Sequence, residues 1–445
     1  MIKDMTKGTP WKLIFFFMVP VCCGNIFQNF YNIVDSMIVG RFLGVEALAA
    51  VGSTSSINFL VIGWITGMTS GFGIQLSQAF GANDYKRLRH YLAMSVYLCI
   101  GLAILMTGGL LLANGLILHW MNTPEDIFFN TKKYIGIIYA GLPVTILYNM
   151  LATIARALGD SKTPLYFLVL SSVLNIILDY VFVAILPFGV AGAAYATVLA
   201  QAVSAVLCLV YVWKKFTIIH FTKKDAVIKG NSIYNLLAMG IPMGLQFSIT
   251  AIGTMIVQAS LNTLGATYIA AYSATMKIQN IMIQIYPALG TAIATYTGQN
   301  YGAGEMKRIK QGVNACLIME AIYSVFVMAL SWSVLPMAVR IFAEDPTGEL
   351  QMIACQMFRI SMWFFFPLGS IFIYRNVLQG LGNGVVPMLG GVFELLARAF
   401  VVYVFFDSMQ FIAICISDPA AWMSALIPLI PYYYWFMNRK LKKTA

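Results

Sequence analysis

The sequence predicts an all-α polytopic membrane protein, with twelve transmembrane helices in two pseudo-symmetric six-helix lobes. Three observations predict it. Apolar residues fill 60% of the 445 positions and charged residues only 10%, too little polar material to clothe a soluble core. Apolar runs of about 20 residues, the length that crosses a hydrocarbon core, recur from one end to the other. Finally, short motifs of the first half return 221 residues later in the second.

In chain order the spans fall near 13–40, 48–71, 91–118, 133–155, 165–186 and 190–213, then 233–261, 269–297, 312–337, 353–378, 388–406 and 419–437. The stretch 407–419 reads as a loop with a short interfacial helix, because Asp418-Pro419 resembles a helix start. The lobes are 1–213 and 233–445, joined by a basic cytoplasmic linker at 214–232. No cleavable signal peptide is expected, since the first apolar run passes through a polar stretch without a small-residue cleavage site.

The net charge of +11 does not point to nucleic acid, because the basic residues sit in short clusters between spans. About 20 Lys and Arg lie on the termini and alternate loops, against Arg41, Lys132, Lys133 and Arg340 on the others. Both termini are therefore expected in the cytoplasm of a cell whose inner membrane holds the chain. The seven cysteines (Cys22, Cys23, Cys99, Cys208, Cys316, Cys355 and Cys415) lie in apolar segments, form no CxxC pair and read as small fillers. His90, His119 and His220 stand isolated near span ends. No GxxxxGK[ST] loop occurs, so ATP does not drive this chain directly.

The repeat is specific in its order. Leu43-Gly44, Ala49-Ala50, Gln78 and Gly81-Ala82 answer Leu264-Gly265, Ala270-Ala271, Gln299 and Gly302-Ala303. Ala157-Leu158-Gly159 with Pro164 answers Gly380-Leu381-Gly382 with Pro387. Six spans per unit make the repeats parallel, an architecture that transporters use with a binding site between the halves.

Ionisable groups inside a membrane are costly, which makes each a site candidate. In the first span Asn25, Gln28, Asn29, Asn32 and Asp35 fall within about 120° of a helical wheel, a stripe that cannot face lipid. Pro20 precedes it and would let that helix bend. In the fifth span Asn175 and Asp179, four apart, share a face, and Thr197 lies in the sixth. These oxygens suit Na⁺; desolvated, the same carboxyls suit H⁺. On residues alone, the alternative stays open that Asp35 and Asp179 cap helices at the membrane edge. In the second half Ser273, Lys277, Asn280 and Gln284 form a polar stripe, and Glu394 with Arg398 is an i, i+4 pair. Lys277 has two readings, pairing with Glu394 or meeting an acidic group on a substrate.

The chain resembles the MATE (multidrug and toxic compound extrusion) family, in particular its bacterial DinF-like branch. The resemblance rests on the run from Tyr31 to Gly44, on Glu46 to Gly52, on Ala157 to Pro164, on Ala270-Ala-Tyr-Ser273 and on Gly298 to Gly304. It implies two lobes around a central cavity and alternating access. It also implies an amino-terminal cation network matching Asp35, Asn175, Asp179, Thr197, Tyr134 and Asn149, with Pro20 as the bending proline. Gln28, Asn32, Lys277, Asn280 and Gln284 are candidate cavity residues. The seventh span lacks the acid some relatives carry, and the tenth carries Arg359 and Arg375, so coupling is expected in the amino-terminal lobe alone.

The expected function is export of organic, mostly cationic or amphipathic compounds in exchange for H⁺ or Na⁺. Lipid bilayer and small-molecule substrate are the expected partners, with no other cofactor and a monomeric chain. The 25 Met and the 61 Phe, Tyr and Trp suit a cavity that repacks around unlike ligands. A lipid-linked precursor flippase of the same superfamily is the alternative. A major-facilitator carrier lacks its loop signature here, and an intramembrane enzyme lacks HExxH or GxSG.

Overall fold

A computed structural model describes residues 3–186, 188–342 and 348–444, and among these there are helices and turns but no strand. Among the described residues nine helices are long and apolar enough to cross a membrane, and two bent pairs raise the number to eleven. The chain divides into two compact units, Met1–Asp4 with Val19–Gly244 and Met5–Met18 with Leu245–Ala445.

The first unit holds most of α1 (Pro10–Ser53), then α2 (Ser55–Gly81), α3 (Tyr85–Trp120), α4 (Glu125–Ala140), α5 (Leu142–Ala157), α6 (Lys162–Asp179), α7 (Val190–Lys215) and the start of α8 (Gly230–Asn262). The second holds the rest of α8, then α9 (Ala266–Met282), α10 (Ile285–Gly302), α11 (Met306–Phe342), α12 (Glu349–Met362), α13 (Phe365–Gly380), α14 (Val385–Met409) and α15 (Phe411–Thr444). α9 and α10 together occupy the place of the eighth span. Lys277, Gln279 and Asn280 interrupt the apolar run there.

The repeat read from the sequence recurs in the backbone. Gly44 and Gly265 take φ of 85° and 99°, Asn83 and Gly304 take 54° and 78°, and Gly159 and Gly382 take 82° and 89°. Left-handed φ is open to Gly and tolerable for Asn, which explains why the repeated motifs are built on those residues. The broken helices also repeat: α4 meets α5 at 46°, and α12 meets α13 at 49°. Pro143 and Pro367 stand just beyond each break, where a missing N–H ends the preceding ladder.

Some limits differ from the sequence reading. The first helix runs on to Ser53, interrupted only at Gly44, and α2 starts at Ser55, where the spans 13–40 and 48–71 were expected. The stretch 407–419 is not a loop. α14 continues to Met409, Gln410 turns the chain at φ 47°, and α15 runs through Asp418 and Pro419. Asp418 is held there because Arg398 Nε donates to its Oδ1 at 2.8 Å, an ion pair that outweighs the local loss from Pro419. The linker 214–232 is only partly free chain: Lys214 and Lys215 end α7, and the rest is pinned to α3. There His90 ring nitrogens lie 2.8 Å from the Asp225 carbonyl and 2.9 Å from Ser232 Oγ. The side chain of Arg340 lies outside the described residues.

The turns that carry the repeated motifs are capped as their sequences suggest. Asp84 accepts from the Arg87 N–H at 2.9 Å at the head of α3. In the second unit the Met5 N–H donates to Gln299 Oε1 at 2.8 Å, Asn300 Nδ2 donates to the Met5 carbonyl, and Arg308 donates to the Gly8 carbonyl at 2.9 Å. This is why Met5–Met18 packs with the second unit.

Before α6, Asp160 is 4% exposed and accepts from Lys215 Nζ at 2.8 Å, Thr163 Oγ1 at 2.8 Å and the Thr163 N–H at 3.0 Å. Burial pushes its carboxyl up, but Lys215 and the Thr163 donors outweigh burial and hold it below its ordinary value. A depressed folded-state value gives stability that is present above the unfolded value, near about 3.9, and lost as pH falls through the folded one. Asp160→Asn is therefore expected to lower the melting temperature most at neutral pH, by a stability loss of about 2–3 kcal/mol. The gap between variant and wild type should close as pH falls below about 4, as followed by tryptophan fluorescence of detergent-purified protein.

Candidate functional site

The amino-terminal unit gathers buried oxygen acceptors that find no donor among the described residues. Asp35 sits in α1, nine residues before the Gly44 interruption. Asp179 is the last residue of α6, immediately before a π turn at Tyr180–Ile185. Single π turns inside helices occur often at functional sites, because the extra residue re-aims the side chains on either side. Here it follows a fully buried carboxylate: Asp179 is 0% exposed.

Neither oxygen of Asp179 has a hydrogen-bond partner, and Asp35 Oδ1 and Asn175 Oδ1 are likewise buried without one. The carboxyls of Asp35 and Asp179 lie within electrostatic reach of each other, with the Asn175 side chain beside them. Two carboxylates cannot hydrogen bond each other unless a proton lies between them, and no ion pair reaches either among the described residues. Buried acceptors are nearly always satisfied in native proteins, so this cluster calls for a cation or a proton.

The neighbours fit that demand. Asn175 Nδ2 donates to Thr197 Oγ1 at 3.4 Å, and the Thr197 hydroxyl spends its only proton on the Ala193 carbonyl at 3.0 Å. Asn175 stands one helical turn before Asp179, and its carbonyl oxygen is buried without a partner. Tyr134, 6% exposed, and Tyr31 both lie within electrostatic reach of Asp35 and Asp179. Tyr31 is the residue sequence reasoning did not single out. Its signal was the i, i+4 spacing to Asp35, and Gln28 of the polar stripe lies beside it.

The remaining predicted residues are placed differently. Asn149 belongs to a polar chain across α2, α5 and α7: its Nδ2 donates to the Thr145 carbonyl at 2.9 Å, and Thr145 Oγ1 donates to Gln201 Oε1 at 2.7 Å. Thr66 Oγ1 approaches Asn149 Oδ1 at 3.5 Å. Gln28 and Asn32 are exposed on α1, and Lys277 and Asn280 are exposed on α9. Gln284 leaves that stripe, because the helix breaks at residues 283–284 between α9 and α10. Pro20 lies inside α1, next to the point where the chain passes from one compact unit to the other.

Lys277 does not pair with Glu394. That carboxylate is held by Arg375 and, at 3.6 Å, by Arg398 Nη1, while Arg398 also reaches Asp418. Two buried cations and two acids balance within the unit, so the Glu394–Arg398 pair is part of a larger structural network.

Comparison with known proteins agrees with the duplicated fold. The MatE family model matches residues 20–181 and again 242–404. "Probable multidrug resistance protein YpnP" of Bacillus subtilis (strain 168) is 30% identical over 85% of this chain and 84% of its own. "Probable multidrug resistance protein YoeA" of the same strain is 26% identical over 98% of this chain and 96% of its own. Among solved structures, one described as the outward-facing conformation of a multidrug resistance MATE family transporter superposes with a TM-score of 0.91. It does so at 22% identity, covering 98% of both chains. Both matches of the family model begin on a proline of a long helix, Pro20 and Pro242, and each takes in one set of the repeated motifs; the chain is a multi-pass membrane protein belonging to the MatE family.

Proposed function

We propose that this protein is a secondary exporter of organic, mostly cationic or amphipathic compounds, driven by H⁺ returning through the Asp35/Asp179 pair. The observation that carries the proposal is the neighbouring pair of carboxyls whose buried oxygens have no hydrogen-bond donor and no counter-cation among the described residues. The names of the two Bacillus relatives support multidrug export as the function.

A proton between the carboxyls joins the two and removes one of the two charges that burial makes costly. Its binding changes the local demand on α1, whose Pro20 has no N–H for the helix ladder and bends easily. The π turn after Asp179 supplies a second place where helix geometry can adjust. One charge crossing 100 mV releases about 2.3 kcal/mol, enough for roughly a 50-fold substrate gradient per ion. Na⁺ has a specific observation in its favour, since the oxygens of Asn175 and Thr197 border the pair and form a hard donor set. The Lys and Arg asymmetry supports a place in the cytoplasmic membrane with both termini inside, and the chain acts as a monomer in this reading.

The test is efflux of a fluorescent organic cation from proteoliposomes under separately imposed pH and Na⁺ gradients. Export driven by the pH gradient alone is the expected result, and export driven only by Na⁺ would transfer the same site to that ion. No export under either gradient, from protein shown to be folded, would sink the reading and favour movement of lipid-linked anions.

A further inference from the structure

The second unit contains a buried acid that neither the amino-terminal site nor the Arg375–Glu394–Arg398–Asp418 network uses. Glu320 lies at the middle of the apolar span Met306–Trp332, in α11, and is the only acid in that span. It is 1% exposed. Its Oε2 accepts from Ser370 Oγ of α13 at 3.3 Å, and its Oε1 has no partner. The space for the carboxyl is provided by Gly369: a Cβ there would overlap Oε1, Cγ and Cδ of Glu320. A full charge in such a place, mid-membrane and with one long hydrogen bond, is among the costliest arrangements a protein can hold.

Among the described residues no cation pairs with it. On α10, Tyr286 faces the acid and its hydroxyl lies 3.3 Å from Ser324 Oγ, one turn beyond Glu320. On α13, Tyr374 faces it together with Ser370, and Cys316 lies a turn away on α11 itself. Tyr323 donates to the Met282 carbonyl at 2.7 Å. Of the charged side chains on the other helices packed against α11, Arg359 of α12 lies over the Trp332 ring and Asp418 of α15 is paired with Arg398. Arg375 of α13 is paired with Glu394. Glu320 and Ser370 alone supply too few oxygens for a hard metal cation, which needs about six.

We propose that Glu320 is a second proton-binding site, held as the neutral acid in this conformation and able to release its proton to water when its pocket is hydrated. Its place in a transport cycle rests on the exporter reading above, but the protonation itself does not. The proposal sets beside the amino-terminal pair a second site in the other lobe, built by a different device.

The experiment is labelling with dicyclohexylcarbodiimide, an apolar reagent that attacks neutral carboxyls. It is applied to the full-length Asp35→Asn/Asp179→Asn protein in liposomes and read by mass spectrometry of the Glu320 peptide. Labelling is expected at about pH 7, at least tenfold above that of the same protein carrying Glu320→Gln, and it should fall reversibly at strongly alkaline pH. Glu320→Asp, which keeps an acid in the pocket, should retain the label if Glu320→Gln does not fold. An unlabelled peptide in folded protein at about pH 7 would overturn the proposal, as would labelling unchanged up to about pH 10, which marks an acid that never titrates. Because the readout needs no transport, its failure is separate from a failure of gradient-driven export.

Discussion

Asp179→Asn is expected to abolish gradient-driven export while leaving a folded protein that still binds its substrate. The reason lies in what the wild-type carboxyl lacks. It is fully buried, neither oxygen is bonded, and its neighbour is another carboxyl. An amide of the same shape satisfies the Asp35 carboxylate permanently, and so mimics the proton-loaded pair that can no longer discharge. The accumulation supported by one charge across 100 mV, roughly 50-fold, should collapse to the passive level. Stability should move the other way. Removing an unpaired buried charge is neutral or stabilising, so the melting temperature should hold or rise. Asn175→Ala should weaken export less, because it removes a neighbour of the pair and no titrating group. Binding of a fluorescent substrate, measured by anisotropy, separates lost coupling from lost recognition. Export by Asp179→Asn at the wild-type rate, under the same pH gradient, would falsify the assignment.

Much of this arrangement was legible in the sequence. Asp35 and Asp179 could be found because a charge inside an apolar span stands out against its background, and Asn175 because it is one helical turn from Asp179. The duplicated architecture was legible because left-handed turns demand Gly or Asn, which makes the motif around Gly44 and Gly265 recur as residues as well as shape. Glu320 stood out equally in composition, yet no motif and no polar stripe surrounds it. Its partners Ser370 and Tyr286 come from other helices, and sequence spacing along α11 says nothing about them. The network of Arg375, Glu394, Arg398 and Asp418 was half visible for the same reason: the i, i+4 pair is local, and the outer two members arrive from α13 and α15. The boundary at 407–419 was misplaced because Asp-Pro is a helix-start signal only where the Asp is free to cap. Here Asp418 is committed to Arg398.

Gly71→Leu is expected to be the most destabilising single change in the first unit, through a contact that propensity alone would not flag. Gly67 and Gly71 of α2 face Gly240 and Gly244 of α8, so two small-xxx-small patterns meet. A Cβ on Gly71 would fall 2.6 Å from the Cα and N of Gly240, and one on Gly67 would fall 2.5 Å from the Met243 carbonyl oxygen. Both obstacles are backbone, which cannot swing aside as a long side chain can. Between helices in lipid, close packing supplies the association that the hydrophobic effect supplies in water, so separating the two backbones removes most of what holds the start of α8. An overpacked core side chain costs about 1–3 kcal/mol, and a leucine wedged between two backbones should reach or exceed the upper end. Gly101→Leu is the matched control. That glycine is exposed on α3 with nothing within 4 Å of its Cβ position, and leucine is the better helix former. Gly71→Leu should lower the melting temperature in detergent by roughly 5–10 °C or leave only aggregated protein, while Gly101→Leu should match wild type. Equal melting temperatures for the two variants would mean that α2 and α8 are not held by this backbone contact. Gly71→Ala should fall between them, because one methyl already overlaps Gly240 but leaves the helices less far to move.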